Sequence, residues 1–443
     1  MPSASRSATP DRATPDQTDP DQTDPDSPAE PDPYPLLRLA EPVPEVVVDP
    51  VTLAQVAAEV AAGSGPVALD AERASGYRYS QRAYLLQLRR APAGTFLVDP
   101  VATGELGPLR EALFGPEWVL HAASQDLPCL SAVGLRPRRL FDTELAARLL
   151  DLPRVGLAAL VEDLLGLRLA KEHSAADWST RPLPRSWLEY AALDVEVLLA
   201  LRDLLAERLV EAGKQTWAEQ EFEALLSFTG PPTRIDPWRR TSGLHRVRGA
   251  RALGLVRELW QARDAIAAGL DISPGRLLSD AAIVEVARTM PTSRGALRSL
   301  RGMRHQQARS HLDAWEKAIG RAGALADADL PPLSAPPDGP PPARSWQQRF
   351  PAAAARLTAC RAVVSALAKQ HHVPAENLLA PDGVRRLAWE PPEVVGPASV
   401  GAALTATGAR PWQVGLTAAP LATALTGVGT GSSAKGSTDA AYR

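Results

Sequence analysis

Two acids, Asp70 and Glu72, stand in an apolar stretch, Pro66-Val-Ala-Leu-Asp-Ala-Glu72, and this placement constrains the chain more than any other feature. Val67 and Leu69 mark the stretch as a central, buried strand. Side chains alternate across a strand, so residues two apart leave the same face of the sheet. Two carboxylates together on a buried face repel each other and lose hydration, and they need a cation or a proton to be tolerated. The milder alternative is that one of them reaches the sheet edge and is solvated there.

Around this strand the pattern predicts an α/β domain over residues 43–225. Residues 52–62 have helical spacing, and 84–90, 95–100 and 117–122 read as further strands. From Asp142 to about Glu223 the chain is mostly helical, with Asp142-Thr143 placed to cap the first helix. Strands first and helices later make one α/β unit. Two all-helical units are expected beyond it, at 234–326 and 344–425, separated by a Pro-rich linker at 327–343. They read as copies. Ile272 with Leu277-Leu278 corresponds to Val373 with Leu378-Leu379, at an offset of 101 residues. Residues 1–42, with the direct repeat Asp-Gln-Thr-Asp-Pro, read as a disordered acidic tail, and 426–443 as a flexible one.

Charge follows the same division. Residues 1–50 carry a net −8 and residues 234–325 a net +9, although the whole chain sums to −3. A basic module points to nucleic acid. The competing explanation is G+C-rich codon usage, since only five of the 48 basic residues are Lys. Arg294, Arg298 and Arg301 fall at i, i+4 and i+7 and form a candidate RNA-binding stripe on one helix face, which His305 and Arg309 would extend; a merely solvated face is the alternative. Two cysteines, Cys129 and Cys360, exclude a disulfide framework and a Cys-rich zinc module. With no apolar leader or membrane-length stretch, the expectation is a cytoplasmic protein that does not engage membranes.

Two further acids complete a constellation. Asp126, in His121-Ala-Ala-Ser-Gln-Asp126, opens a helix after a strand, where an acid also serves simply as a dipole partner. Tyr190-Ala-Ala-Leu-Asp194 sets a phenol and a carboxylate one helical turn apart. Four carboxylates from a strand and two helices suit two hard divalent ions, Mg²⁺ or Mn²⁺, about 4 Å apart, the arrangement of phosphodiester hydrolysis. Tyr190 would orient the attacking water. His121 reads as structural, Asp142 as a helix cap rather than a fifth ligand, and Cys129 as core, while Asp177-Trp178 either shapes the substrate end of the cleft or supplies a buried ring locking a loop.

The segments ALDAE, LHAASQDL and YAALDVEVL, in that order, resemble the three motifs of the DEDD 3′–5′ exonucleases of the Tyr subgroup. The stretch KEHSAADWSTRPLPRSWLEYAALDVEVLL resembles ribonuclease D, as does the succession of domains. The resemblance implies a ribonuclease H-like domain with a mixed five-stranded sheet, followed by two helical HRDC-type domains, the second more divergent. It implies Asp70, Glu72, Asp126 and Asp194 as metal ligands and Tyr190 as the water-orienting residue. The expected activity is metal-dependent 3′–5′ exoribonuclease action on RNA with a free 3′ end, including tRNA precursors, by a monomer. A DNA exonuclease and a silent RNA-binding scaffold are the alternatives. Ala71 and Arg73 depart from the family's usual Thr and Phe, and Gln125 stands where an acid often precedes the motif's Asp; these bear on substrate fit.

Overall fold

The computed structural model describes residues 34–170, 175–232, 234–334 and 339–429. Most of the acidic leader and of the C-terminal tail lies outside the described residues. Residues 34–42, expected to belong to that leader, are instead tethered. Leu37 N–H donates to the Arg168 carbonyl at 2.8 Å, Arg168 N–H donates to Pro35 at 2.9 Å, and Leu37 and Leu39 pack against the core.

The sheet has six strands rather than five: β1 (Val46–Val47), β2 (Ser64–Arg73), β3 (Ala83–Ala91), β4 (Gly94–Val98), β5 (Trp118–Leu120) and β6 (Leu140–Asp142). Their spatial order is β1-β4-β3-β2-β5-β6, so β2 is internal as expected. It pairs antiparallel with β3 and parallel with β5, and the sheet is mixed. The additional strand, β1, is a two-residue edge paired parallel to β4, too short to leave any alternation in the sequence.

Alternation along β2 sorts its side chains between two cores. Val67, Leu69 and Ala71 face one cluster, filled by Leu53, Val56 and Val60 of helix α1 (Pro50–Ala62). Each such side chain contributes about 1.5–3 kcal/mol when fully buried. Helix α1 starts where Asp49 Oδ1 accepts from Val51 N–H and Thr52 N–H, both at 2.9 Å, with Pro50 in the first turn. Ala68 faces the opposite cluster, and Asp70 and Glu72 share its side of the strand. The helix Arg185–Glu196 packs across β2, β3 and β4, with Ala191 and Ala192 against Tyr84, Leu85 and Leu97. Tyr190 and Asp194 ride on that helix.

The two helical units repeat through their first three helices and diverge after Asp280–Thr289 and its counterpart Pro381–Trp389. Helix Ala250–Leu270 corresponds to Pro351–His371, and the elbow turn Pro274–Leu277 to Ala375–Leu378, at the same 101-residue offset. Each long helix ends on a left-handed residue, Asp271 in the first and His372 in the second, both with φ 49°. Both ends touch the α/β unit. Asp271 accepts from Ser80 N–H at 2.8 Å and from the Tyr84 hydroxyl at 3.3 Å, while the His372 carbonyl accepts from Lys214 Nζ at 2.6 Å. The second unit docks further through Trp412, which stacks on Trp217 at 4.5 Å and donates to Glu221. Among the described residues no helix is long and apolar enough to cross a membrane.

Candidate active site

Asp70, Glu72 and Asp194 come together: each offers a carboxylate oxygen, and those oxygens lie within 4.8 Å of one another. The solvated-edge alternative for β2 therefore does not apply. Asp126 stands close enough to Asp70 for the Asp70 charge to raise its pKa, and it is only 5 % exposed. Although it opens the helix Leu127–Ala132, its carboxylate makes no capping hydrogen bond, so it is not a dipole partner of the ordinary kind.

Burial drives the electrostatics. It pushes the carboxyls of Asp70, Asp126 and Asp194 above their usual range, and the charge of Asp70 adds to the push on the other two. Glu72 is pushed up to about 10, by burial first and then by Asp70, Asp194 and Asp126. Such a set is stable only with protons or cations among the oxygens. Hard carboxylate oxygens at this spacing fit Mg²⁺ or Mn²⁺ rather than soft metals. The Tyr190 hydroxyl hydrogen-bonds Asp194, and burial together with the charges of Asp194 and Glu72 raises its pKa well above the ordinary phenol value. It therefore remains a protonated phenol.

Residues passed over in the sequence complete the surroundings. Gln87 lies directly across the β2–β3 pair from Asp70, is 0 % exposed, and has no hydrogen-bond partner for either amide atom among the described residues. A lone Gln in a strand carries no sequence signal. An unpartnered buried amide costs about 1–3 kcal/mol. Gln87→Leu should accordingly raise the chemical-denaturation stability of the metal-free protein by about 1 kcal/mol or more. A loss of stability would show that the amide is already satisfied.

Trp178 is fully buried, as a loop-locking ring would be, and packs 5.4 Å from Trp187 and 6.5 Å from Tyr190. It thus buttresses the helix face that carries the phenol. His121 is neutral, its pKa lowered to about 4 by burial, and its Nδ1 lies 2.9 Å from Thr143 Oγ1. Cys129 is buried, and burial pushes its thiol up to about 12.

Asp142 caps its helix as expected and does a second thing. Its carboxylate accepts from Glu144 N–H and Leu145 N–H at 2.9 and 3.1 Å, and also from Ala122 N–H and Ala123 N–H at 3.1 and 2.8 Å. It thereby pins the turn leading to Asp126, where Ala122 holds a left-handed φ of 56° that an alanine rarely adopts. Asp142→Ala leaves buried amides unanswered and removes a cap. The expected loss is about 3 kcal/mol in a denaturant titration; a loss below about 1 kcal/mol would mean that water replaces the carboxylate.

The basic stripe is corrected. The helix carrying it, Arg294–Ser299, ends before Arg301, so the three arginines do not share one helix face. It ends there because Glu285 takes the Arg301 and Gly302 amides at 3.1 and 2.7 Å, and Gly302 sits so close to Ala282 that a Cβ would lie 2.4 Å from it. Arg294 is paired with Asp313 and Glu316. Arg298 is exposed, and Arg301 turns instead into a cleft of about 1620 Å³ that it lines with Arg78, Arg246, Arg276, Arg288 and His305.

Comparison with known proteins agrees with this layout. A 3′-5′ exonuclease family model matches residues 44–210, an HRDC domain model residues 252–319, and a 3′ to 5′ exonuclease C-terminal domain model residues 339–425. Ribonuclease D of Gluconacetobacter diazotrophicus is 33 % identical over 336 residues, covering 73 % of this chain and 81 % of that protein. Ribonuclease D of Granulibacter bethesdensis is 32 % identical, covering 69 % and 72 %. Among solved structures, a protein from Bifidobacterium adolescentis aligns with TM-score 0.81 and 37 % identity, over 89 % of this chain and all of that one. Escherichia coli RNase D, described as an exoribonuclease involved in structured RNA processing, aligns with TM-score 0.62 and 26 % identity, over 84 % and 98 %. The chain belongs to the ribonuclease D family and is a 3′–5′ exoribonuclease.

Proposed function

We propose that the chain trims the 3′ ends of stable RNA precursors, tRNA among them, releasing 5′-mononucleotides one at a time, as a cytoplasmic monomer. The buried, unpaired Cys129 and Cys360 fit a reducing compartment. Asp70, Glu72, Asp126 and Asp194 are the proposed ligands of two divalent ions, Mg²⁺ or Mn²⁺. The observation that carries this reading is the convergence of three carboxylates within 4.8 Å, from an internal strand and the helix packed across it. Bound there, divalent ions supply Lewis-acid activation of water and charge stabilisation at the leaving oxygen.

The chain's own groups do the rest. Tyr190, held by Asp194 and backed by Trp178, presents a protonated hydroxyl that orients the attacking water without taking its proton. Ala191 and Ala192 seat this helix on β3 and β4 and so fix where Tyr190 and Asp194 stand. The arginine-lined cleft between the loop after β2 and the first helical unit is the proposed track for the upstream strand, with Arg301 replacing the three-residue stripe.

The test is release of labelled nucleotides from matched RNA and DNA strands with free 3′-hydroxyls, in Mg²⁺, in Mn²⁺ and in EDTA. The expected result is stepwise 5′-mononucleotide release from RNA in the presence of metal and none in EDTA. Activity undiminished by EDTA would overturn the metal reading, and stronger activity on DNA would overturn the substrate assignment.

A further inference from the structure

Arg73 closes β2, and strict alternation would send its side chain to the same face as Leu69 and Ala71, away from Asp70 and Glu72. Asp126 heads a helix whose Leu127, Cys129 and Leu130 pack on that same face, and the β2–β3 register shifts beside it, between Glu72 and Arg73. The guanidinium comes to 4.0 Å from Asp126 Oδ1, and its charge opposes the upward push of burial on Asp70, Glu72 and Asp126.

A permanent Arg–carboxylate pair closes to about 2.7–2.9 Å, commonly with two parallel hydrogen bonds. Here the single contact lies at 4.0 Å, and the Arg73 guanidinium makes no closer ion pair among the described residues. Its side chain is 29 % exposed. A fork of five donors is thus held beside the acid cluster, open to solvent and unspent.

We propose that Arg73 grips the terminal phosphodiester of the RNA, donating to its nonbridging oxygens from the side opposite the acids. The assignment rests on the active-site reading above, because a phosphate belongs beside those acids only when protons or cations neutralise them. Arg73 is then a substrate-binding residue rather than a fixed counter-ion for Asp126. It also accounts for an arginine at the position where the family's usual residue is apolar.

The experiment is fluorescence anisotropy of a short 5′-fluorescein oligoadenylate with a free 3′-hydroxyl, titrated with full-length protein in EDTA over a range of salt. Arg73→Gln should weaken binding about tenfold, the worth of one charged hydrogen-bonding contact. The slope of log affinity against log salt should flatten by about 0.7, one phosphate contact on a single strand. Arg73→Lys keeps the charge and the aliphatic stem, so it should retain the salt slope with an intermediate affinity. It also serves if the Gln variant folds poorly.

Unchanged affinity and slope in Arg73→Gln would overturn the proposal and leave Arg73 as a counter-ion. No measurable wild-type binding in EDTA would also overturn it, because a guanidinium grip needs no metal. The two readings fail separately. Wild-type protein that releases no nucleotide in Mg²⁺ or Mn²⁺, while Arg73→Gln still weakens binding, strikes the active-site reading alone.

Discussion

Asp70→Asn should abolish nucleotide release and at the same time make the metal-free protein more stable. The two effects share one cause. Asp70 raises the pKa of Glu72, Asp126 and Asp194, so all the other acids feel its charge. Asn keeps the volume and removes the charge, relieving repulsion worth on the order of 1 kcal/mol in the empty site. In a chain of this size that is a rise of roughly 1–3 °C in Tm, read by thermal melting in EDTA. A fully occupied site stabilises wild-type protein by about 2.7 kcal/mol when the ion is at a hundred times its Kd. The Asn variant should lose that Mg²⁺-dependent rise. Activity should fall further than the roughly 10–100-fold that outer-shell partners of a metal cost. A variant that keeps both its activity and its Mg²⁺-dependent Tm rise would remove Asp70 from the site.

Tyr190→Phe should lower turnover by about 10²-fold, the order of loss when a reacting group is misplaced by about 1 Å. Everything else about the residue survives the change. The ring keeps its packing 6.5 Å from Trp178, and Asp194 keeps its place on the same helix. Binding of RNA and the Mg²⁺-dependent Tm rise should therefore match wild type, so that kcat falls while Kd does not. Since burial and neighbouring acids hold the hydroxyl protonated, turnover should show no step at the pH where a phenol would ordinarily ionise. A fall of less than about tenfold would show that Asp194 or solvent orients the water unaided.

What the sequence made legible was whatever alternation and helical spacing encode. The i, i+2 acids of β2 and the i, i+4 pair Tyr190 and Asp194 stand where those periods put them, on facing elements. Gln87 was invisible because its meaning comes from the register of β3 against β2, which no single strand reveals. The second duty of Asp142 depends on amides some twenty residues earlier in the chain, brought to it by the β5–β6 pairing. Arg73 is the sharpest case, since its place beside Asp126 depends on a helix that comes much later in the chain. The arginine stripe failed for the converse reason. Its spacing was helical, but tertiary contacts to Glu285 and Ala282 stopped the helix one turn early.

The paired elbows at Asp271 and His372 carry different mutational risks. Both copies of the helical unit present the same corner to the nuclease, so duplication supplied the second attachment point ready-made. At the first corner the bond is made by a carboxylate, and a single substitution of Asp271 severs it. At the second the acceptor is a main-chain carbonyl, which every amino acid possesses. Loss of Asp271 therefore removes the side-chain bonds at the first corner but leaves the main-chain bond from Ser273 N–H to the Tyr77 carbonyl, at 2.9 Å, whereas the second corner holds for as long as Lys214 is kept.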